Sequence, residues 1–267
     1  MIPTEDRTLV GRVAALRCYP VKSMQGEALA RVGIGPQGLD GDRRLAVIDA
    51  ATGRVASAKN PRKWAGLLDL RAELRAGVLH LTAPDGSEYR GDRDDLDAVL
   101  SRLLGRPVAL RGSSAAPDAI EVEWPDVPGL PGAGTESVES LSAGGYFDLA
   151  PIHVLTTATL CHFRELAPGC DFDPRRFRPN VVIETVPGLT GIVETEWVGR
   201  AVWVGDVRLE VTGACSRCVM TTLAQPGLAA DAQILRAAVA HNAAVVGVYA
   251  TTPHLGEVRV GLPAWLE

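Results

Sequence analysis

Apolar and polar residues alternate with a period of two through much of this chain, and glycine or proline interrupts the alternation repeatedly. A period of two puts successive side chains on opposite faces of a strand. It predicts strands at residues 10–19, 45–49, 54–58, 67–74, 78–82 and 106–110 in the first half. In the second half it predicts strands at 152–155, 181–184, 245–250 and 257–260. A hairpin joins this set: Trp203 and Val204 end one strand, Gly205-Asp206 make a two-residue turn, and Val207, Leu209 and Val211 alternate along the other. A helical period is confined to three stretches. Leu96, Val99, Leu100 and Leu103 share a face within 92–105, with acidic residues in the first turn and Arg102 and Gly105 at the end. Thr156 or Thr157 caps a helix carrying Leu160, Phe163 and Leu166, which Pro168-Gly169 ends. The third helix runs from about 231 to 241.

Pro117, Pro125, Pro128 and Pro131 crowd into a stretch of small and turn residues, which places a linker at about 112–134. The expected organisation is a β-rich domain with one helix over 1–112 and a second domain over 113–267, an α+β fold dominated by strands. With 267 residues, 46% hydrophobic and 22% charged, the chain has the make-up of a folded soluble protein. A net charge of −5 argues against a general nucleic-acid binder, which needs a basic face. It leaves room for a local basic pocket that takes one small anion. No apolar run approaches the ~20 residues of a membrane helix, and residues 1–7 lack the basic start and apolar core of a signal peptide. Five cysteines, an odd number, suit reduced thiols, so a cytoplasmic location is expected.

Candidate chemistry gathers at Thr212-Gly-Ala-Cys-Ser-Arg-Cys-Val-Met-Thr-Thr222, where two thiols three residues apart are expected on a glycine-led turn after the hairpin. Such a pair can bind zinc, cycle as a disulfide, hold another metal, or simply pack. Zinc lacks partners at short spacing among Cys18, Cys161, Cys170 and the five histidines. A thioredoxin-type pair would lead into a helix, whereas Val219-Met-Thr-Thr-Leu223 is β-branched and apolar. Arg217 beside Cys218 favours the thiolate. Lys22-Ser23, Arg43 and the trio Arg175, Arg176 and Arg178 each read either as an anion clamp or as ordinary surface charge. For Arg43 the ordinary alternative is a pair with Asp40 or Asp42. Spacing alone leaves these choices open.

In this order, Tyr19-Pro-Val-Lys-Ser-Met-Gln-Gly26, Gly38-Leu-Asp-Gly-Asp-Arg43, Phe177-Arg-Pro-Asn-Val-Val-Ile183 and Cys215-Ser-Arg-Cys-Val-Met-Thr-Thr222 resemble the MOSC family. The resemblance runs from about Val10 onward and is strongest to two-part members, an N-terminal β-barrel domain followed by a MOSC β-barrel domain, amidoxime-reducing proteins among them. It implies a molybdenum cofactor, a metal-bound molybdopterin, held between the domains with Cys218 as metal ligand and Cys215 structural. Lys22, Ser23 and Arg43 would then grip the pterin and its phosphate from one side, and Arg178 and Asn180 from the other. Ser216 and Arg217 flank the ligand. Asp148 and Ala150 belong to the approach loop 146–151, with Asp148 implied as an acid that handles protons near the metal.

The implied activity is two-electron reduction of N-hydroxylated compounds: amidoximes, hydroxylamines or N-hydroxylated bases. Electrons would come from a separate flavin or iron–sulfur protein, because the chain carries no ferredoxin-like cysteine set. Two departures from the family pattern are visible. Lys59 stands where relatives often carry arginine, and 223–230 lacks their acidic run. Two other readings stand beside the reductase: a sulfur carrier or sulfurtransferase with a persulfide on Cys218, independent of pyridoxal phosphate, and a non-catalytic cofactor carrier. No nucleic-acid or membrane partner is expected.

Overall fold

A computed structural model describes residues 7–113, 118–141 and 144–267. Its centre is a closed barrel of seven strands. In order around the barrel these are Thr8–Cys18, Pro263–Leu266, Ala201–Val204, Val207–Ser216, Val245–Thr251, Ile152–Thr156 and Val181–Thr185, the last pairing back onto the first. Neighbours are antiparallel except Ile152–Thr156 and Val181–Thr185, whose parallel pairing needs the crossover helix Thr157–Leu166. That helix starts where the Thr156 side chain accepts the Thr159 N–H.

Closure of the barrel depends on Gly11. A Cβ at this position would lie 2.1 Å from the Glu184 carbonyl oxygen, so glycine alone allows the two strands to approach. Inward-facing Val13, Leu16, Val154, Ile183, Val202, Leu209 and Val248 fill the interior, each no more than 1% exposed. The chain's first strand is therefore built into the same barrel as its second half.

The remainder of the first half has a core of its own around Val47, Leu67, Leu81 and Leu100. It consists of Leu45–Asp49 paired with Val108–Gly112, the meander Arg71–Arg75, Val78–Thr82 and Glu88–Arg90, and the helix Leu96–Leu104. Three expectations change. The strand at 67–74 is split, because Ala65–Asp69 forms a 3-10 turn that buries Leu67 and Leu68 before Arg71–Arg75 begins. Residues 54–58 contribute only bridges through Val55. The stretch expected as a linker holds the strand Ala119–Glu123, paired with Glu136–Ser140, and its prolines 125, 128 and 131 lie in the connecting loop. Pro117 lies outside the described residues. Among the described residues no helix is long and apolar enough to cross a membrane.

Candidate functional site

Where the barrel rim meets the first-half core there is a cleft of about 560 Å³. Lys22, Ser23, Arg43, Asp148, Ala150, Arg178, Asn180, Ser216, Arg217 and Cys218 all line it. Five cationic side chains (Lys22, Arg43, Lys59, Arg178 and Arg217) face two acids (Glu139 and Asp148) in a chain whose net charge is −5. The fold thus concentrates positive charge against the overall balance.

The two thiols have different surroundings. The strand Val207–Ser216 continues past Gly213 with two bulges against Val245–Thr251, so Cys215 lies in the sheet and not on the expected turn. Cys215 is 1% exposed, and its sulfur accepts from Arg217 Nη1 at 2.6 Å. The Arg217 side chain hydrogen-bonds the first thiol and also interacts with Cys218 through its charge. Its Nη2 donates to the Phe177 carbonyl at 2.8 Å and its backbone N–H to the Ala244 carbonyl at 2.7 Å. Burial opposes the Arg217 charge, but Cys215, Tyr249 and Cys218 outweigh it and hold the guanidinium above its ordinary value. Cys218 is free and half-buried at the start of the 3-10 turn Val219–Thr222. That turn is pinned by the Thr221 N–H and hydroxyl, which donate to the Cys218 carbonyl at 3.2 and 3.1 Å. Among the described residues no group of three His, Cys, Asp or Glu side chains converges, so a zinc centre of protein ligands has no ligand set here.

Arg43 and Arg178 both hold left-handed backbone conformations, with φ of 50° and 55°. Such positions cost on the order of 1–3 kcal/mol and persist only where the surroundings impose them. Both guanidinium groups lie over the Tyr19 ring, 5.0 and 4.2 Å from its centroid. Arg43 pairs with Asp42 and also reaches Asn180 Oδ1 and the Arg178 carbonyl, each at 3.3 Å, so it belongs both to its own turn and to the cleft. Asn180 ties three strands together, accepting the His153 N–H at 3.1 Å and donating to the Arg17 carbonyl at 3.2 Å. Arg178 donates through Nη1 to the Met24 carbonyl at 2.6 Å, while its Nη2 is buried without a partner among the described residues. Burial, then the neighbouring Arg43 charge, push Arg178 down to about 10. The arginine trio has three separate fates, since Arg175 pairs with Asp173 and fully buried Arg176 donates to four backbone carbonyls.

On the other wall, Lys22 and Ser23 stand on the first-half core through their neighbours Val21 and Met24. Lys22 Nζ donates to the Tyr146 carbonyl at 2.9 Å and to Asp148 Oδ1 at 2.7 Å. Lys59 Nζ reaches the same carboxylate oxygen at 3.4 Å and Glu139 Oε2 at 3.6 Å. The residue that departs from the family pattern is thus part of the cleft. Burial lowers Lys22 from the ordinary lysine range, with Asp148 opposing. Burial would raise Asp148, but Lys22 and Lys59 outweigh it and hold the carboxyl far below its usual range. Asp148 is therefore a fixed anion that positions two lysines, which does not suit the proton-donating role expected of it. Ser23 Oγ accepts the Ala58 N–H at 3.1 Å and keeps its own hydrogen to donate.

Sequence reasoning did not single out His153, Tyr249, Glu139 or Trp124, which also line the cleft. His153 and Tyr249 are direct cross-strand partners, a relation visible only once the register is known. Burial pushes His153 down to about 3, so it is neutral, and its Nε2 lies 3.3 Å from the Val246 carbonyl. Gly247, with φ of 86°, makes room for that ring, since a Cβ would sit 2.2 Å from His153 Nε2.

Residues 10–120 match the MOSC N-terminal beta barrel domain and residues 144–264 match the MOSC domain. The chain is 27% identical over 250 residues to the human mitochondrial amidoxime-reducing component 1, covering 83% of this chain and 69% of that protein. Among solved structures, the YUAD protein of Bacillus subtilis aligns over 98% of this chain and 97% of its own, at 13% identity and a TM-score of 0.48. YiiM of Geobacillus stearothermophilus aligns over 60% of this chain and 67% of its own, at 17% identity and a TM-score of 0.35. With both domain types matched in order along most of its length, this chain belongs to the MOSC family, in the form that carries an N-terminal MOSC beta barrel domain.

Proposed function

We propose that the cleft holds a molybdenum–pterin cofactor and that the protein reduces N-hydroxylated compounds with electrons from a separate redox protein. The observation that carries this reading is the free Cys218 thiol on the wall of a cleft lined by five cations against two acids. The residues fit such a group: a soft thiolate suits a transition metal, and clustered guanidinium and ammonium groups suit a phosphate and an anionic dithiolene. Among the described residues, buried Arg178 Nη2 and Arg217 Nε have no partner and supply unspent donors. The 27% identity to an amidoxime-reducing protein supports the substrate class.

In this reading Cys218 ligates the metal, Arg43, Arg178, Arg217, Lys22, Ser23 and Ser216 grip the pterin and phosphate, and Asn180 orients Arg43. When bound, the cofactor supplies the two-electron chemistry that cleaves an N–O bond. The stoichiometry is R–NH–OH with two electrons and two protons going to R–NH2 and water. The chain's own part is to hold the charges in place and to manage protons. Asp148 stays anionic and fixes Lys22, whose Nζ proton is loosened by burial and placed at the cleft wall.

The test is molybdenum and pterin content per chain, for wild type and Cys218→Ala made in a cofactor-competent host. Near-stoichiometric metal in the wild type and its loss in the variant are expected, with amidoxime reduction following the metal. Wild type free of metal but carrying a persulfide on Cys218 would replace this reading with sulfur transfer.

A further inference from the structure

The cleft lining divides by origin. Its cations come from the barrel rim and the first-half core, whereas Trp124, Leu130 and Pro131 come from the loop between Ala119–Glu123 and Glu136–Ser140. That loop is fastened at both ends. Trp124 N–H donates to the Thr135 carbonyl at 2.9 Å and Gly134 N–H to the Trp124 carbonyl at 3.0 Å. On the far side Val127 and Leu130 pack with Leu235 and Ala244, at the helix Gln233–Asn242 that ends beside Arg217's backbone partner. It forms a strap from the first-half sheet to the second-half helix.

The strap presents no charge to the cleft. Its single ionisable side chain, Asp126, is exposed and outside the lining. The indole N–H of Trp124 is already given to Ser137 Oγ at 3.1 Å, so the ring has only apolar surface to offer. Met220 also lines the cleft and packs in one cluster with Cys218, Ala58 and Leu68. At the rim stands Leu149, a large aliphatic side chain left 70% exposed. An apolar wall of this kind, next to a thiol, is what an uncharged organic group would bury.

We infer that the strap residues Trp124, Leu130 and Pro131, with Met220 and Leu149, form a subsite for the body of the substrate. The compounds it selects carry an uncharged aromatic or bulky aliphatic group beside the N-hydroxy function. This rests on the reductase reading above and narrows it. Charged N-hydroxylated nucleotides and bare hydroxylamine lack the matching surface.

Two compounds with the same head group isolate the body: N-hydroxybenzamidine and N-hydroxyacetamidine. Wild type should prefer the aromatic one, and in Trp124→Ala the ratio of their kcat/KM values should fall about tenfold, the scale of a lost apolar contact. Leu149→Ser, at an exposed position that does not endanger folding, should shift the same ratio in the same direction. Calorimetric binding of N-hydroxybenzamidine to each protein, whatever its metal content, reads the subsite without turnover. Binding that weakens in both variants, from a wild type that reduces nothing, would keep the subsite and remove the reductase. Equal losses for the two compounds, or variants binding N-hydroxybenzamidine as the wild type does, would overturn the subsite.

Discussion

Arg217 Nη1 lies 2.6 Å from the sulfur of Cys215, inside the sheet, while Cys218 opens onto the cleft from the following turn. The two cysteines should therefore fail in different ways. Cys215→Ala strips a buried donor of its acceptor, which costs about 1–3 kcal/mol, while metal content stays near wild type. Cys218→Ala should match the cofactor-free wild type in urea midpoint and lose the metal. Paired unfolding curves and metal analysis check this, and the reverse pattern would exchange the two roles.

Asp148 gives a pH signature. Its folded value is depressed by Lys22 and Lys59, so its contribution is complete above the unfolded value, about 4 for aspartate, and is lost as pH falls through the lower folded value. Asp148→Asn should lower the thermal midpoint at neutral pH and flatten its decline below about pH 4. It also leaves Lys22 buried with no carboxylate, so the variant should bind added anions more tightly. A midpoint profile parallel to wild type would show that the lysine pair adds nothing to stability.

His153 titrates in a separate window. It is neutral when folded, pushed down to about 3, against about 6.5 when unfolded. Its stabilising share is whole above about pH 6.5 and is lost progressively as pH drops toward the folded value, with a slope of at most about 1.4 kcal/mol per pH unit. His153→Asn should remove that slope. Gly247→Ala adds a Cβ against the same ring on a left-handed backbone, and should abolish folded expression. A soluble Gly247→Ala protein with an unshifted midpoint would mean the ring has room to turn away.

Much of this was legible from local pattern. The strands Leu45–Asp49 and Val78–Thr82 and the turn at Gly205-Asp206 follow from alternation and turn chemistry that act over a few residues. What local pattern cannot carry is pairing. Pro263–Leu266 joins Thr8–Cys18 from the opposite end of the chain, and nothing in either segment names the other. Gly213 reads as a break that would put Cys215 on a turn, yet paired strands absorb the glycine as a bulge. The ten expected site residues share one cleft, but their partners were hidden: Lys22 meets Asp148 across the two halves, and Arg176 disappears among carbonyls next to a sequence neighbour that lines the cleft.

Arg178 is where stability and binding should part most clearly. Among the described residues its Nη2 is buried and unpaired, and its charge lies beside that of Arg43 over one tyrosine ring. Arg178→Met removes both penalties while retaining an unbranched chain of similar reach. The buried Met24 carbonyl loses its donor, which costs about 1–3 kcal/mol, so the cofactor-free variant should stay within that margin of the wild type. Inorganic phosphate then separates the two proteins. An anion that binds only the folded state adds RT ln(1 + [L]/Kd), about 2.7 kcal/mol at a hundred times Kd. The wild-type thermal midpoint should climb with phosphate, and that of Arg178→Met should climb much less. Equal climbs in both would place the anion grip on Lys22 and Arg217 instead, and an Arg178→Met protein that is much less stable would mean the guanidinium is held for packing.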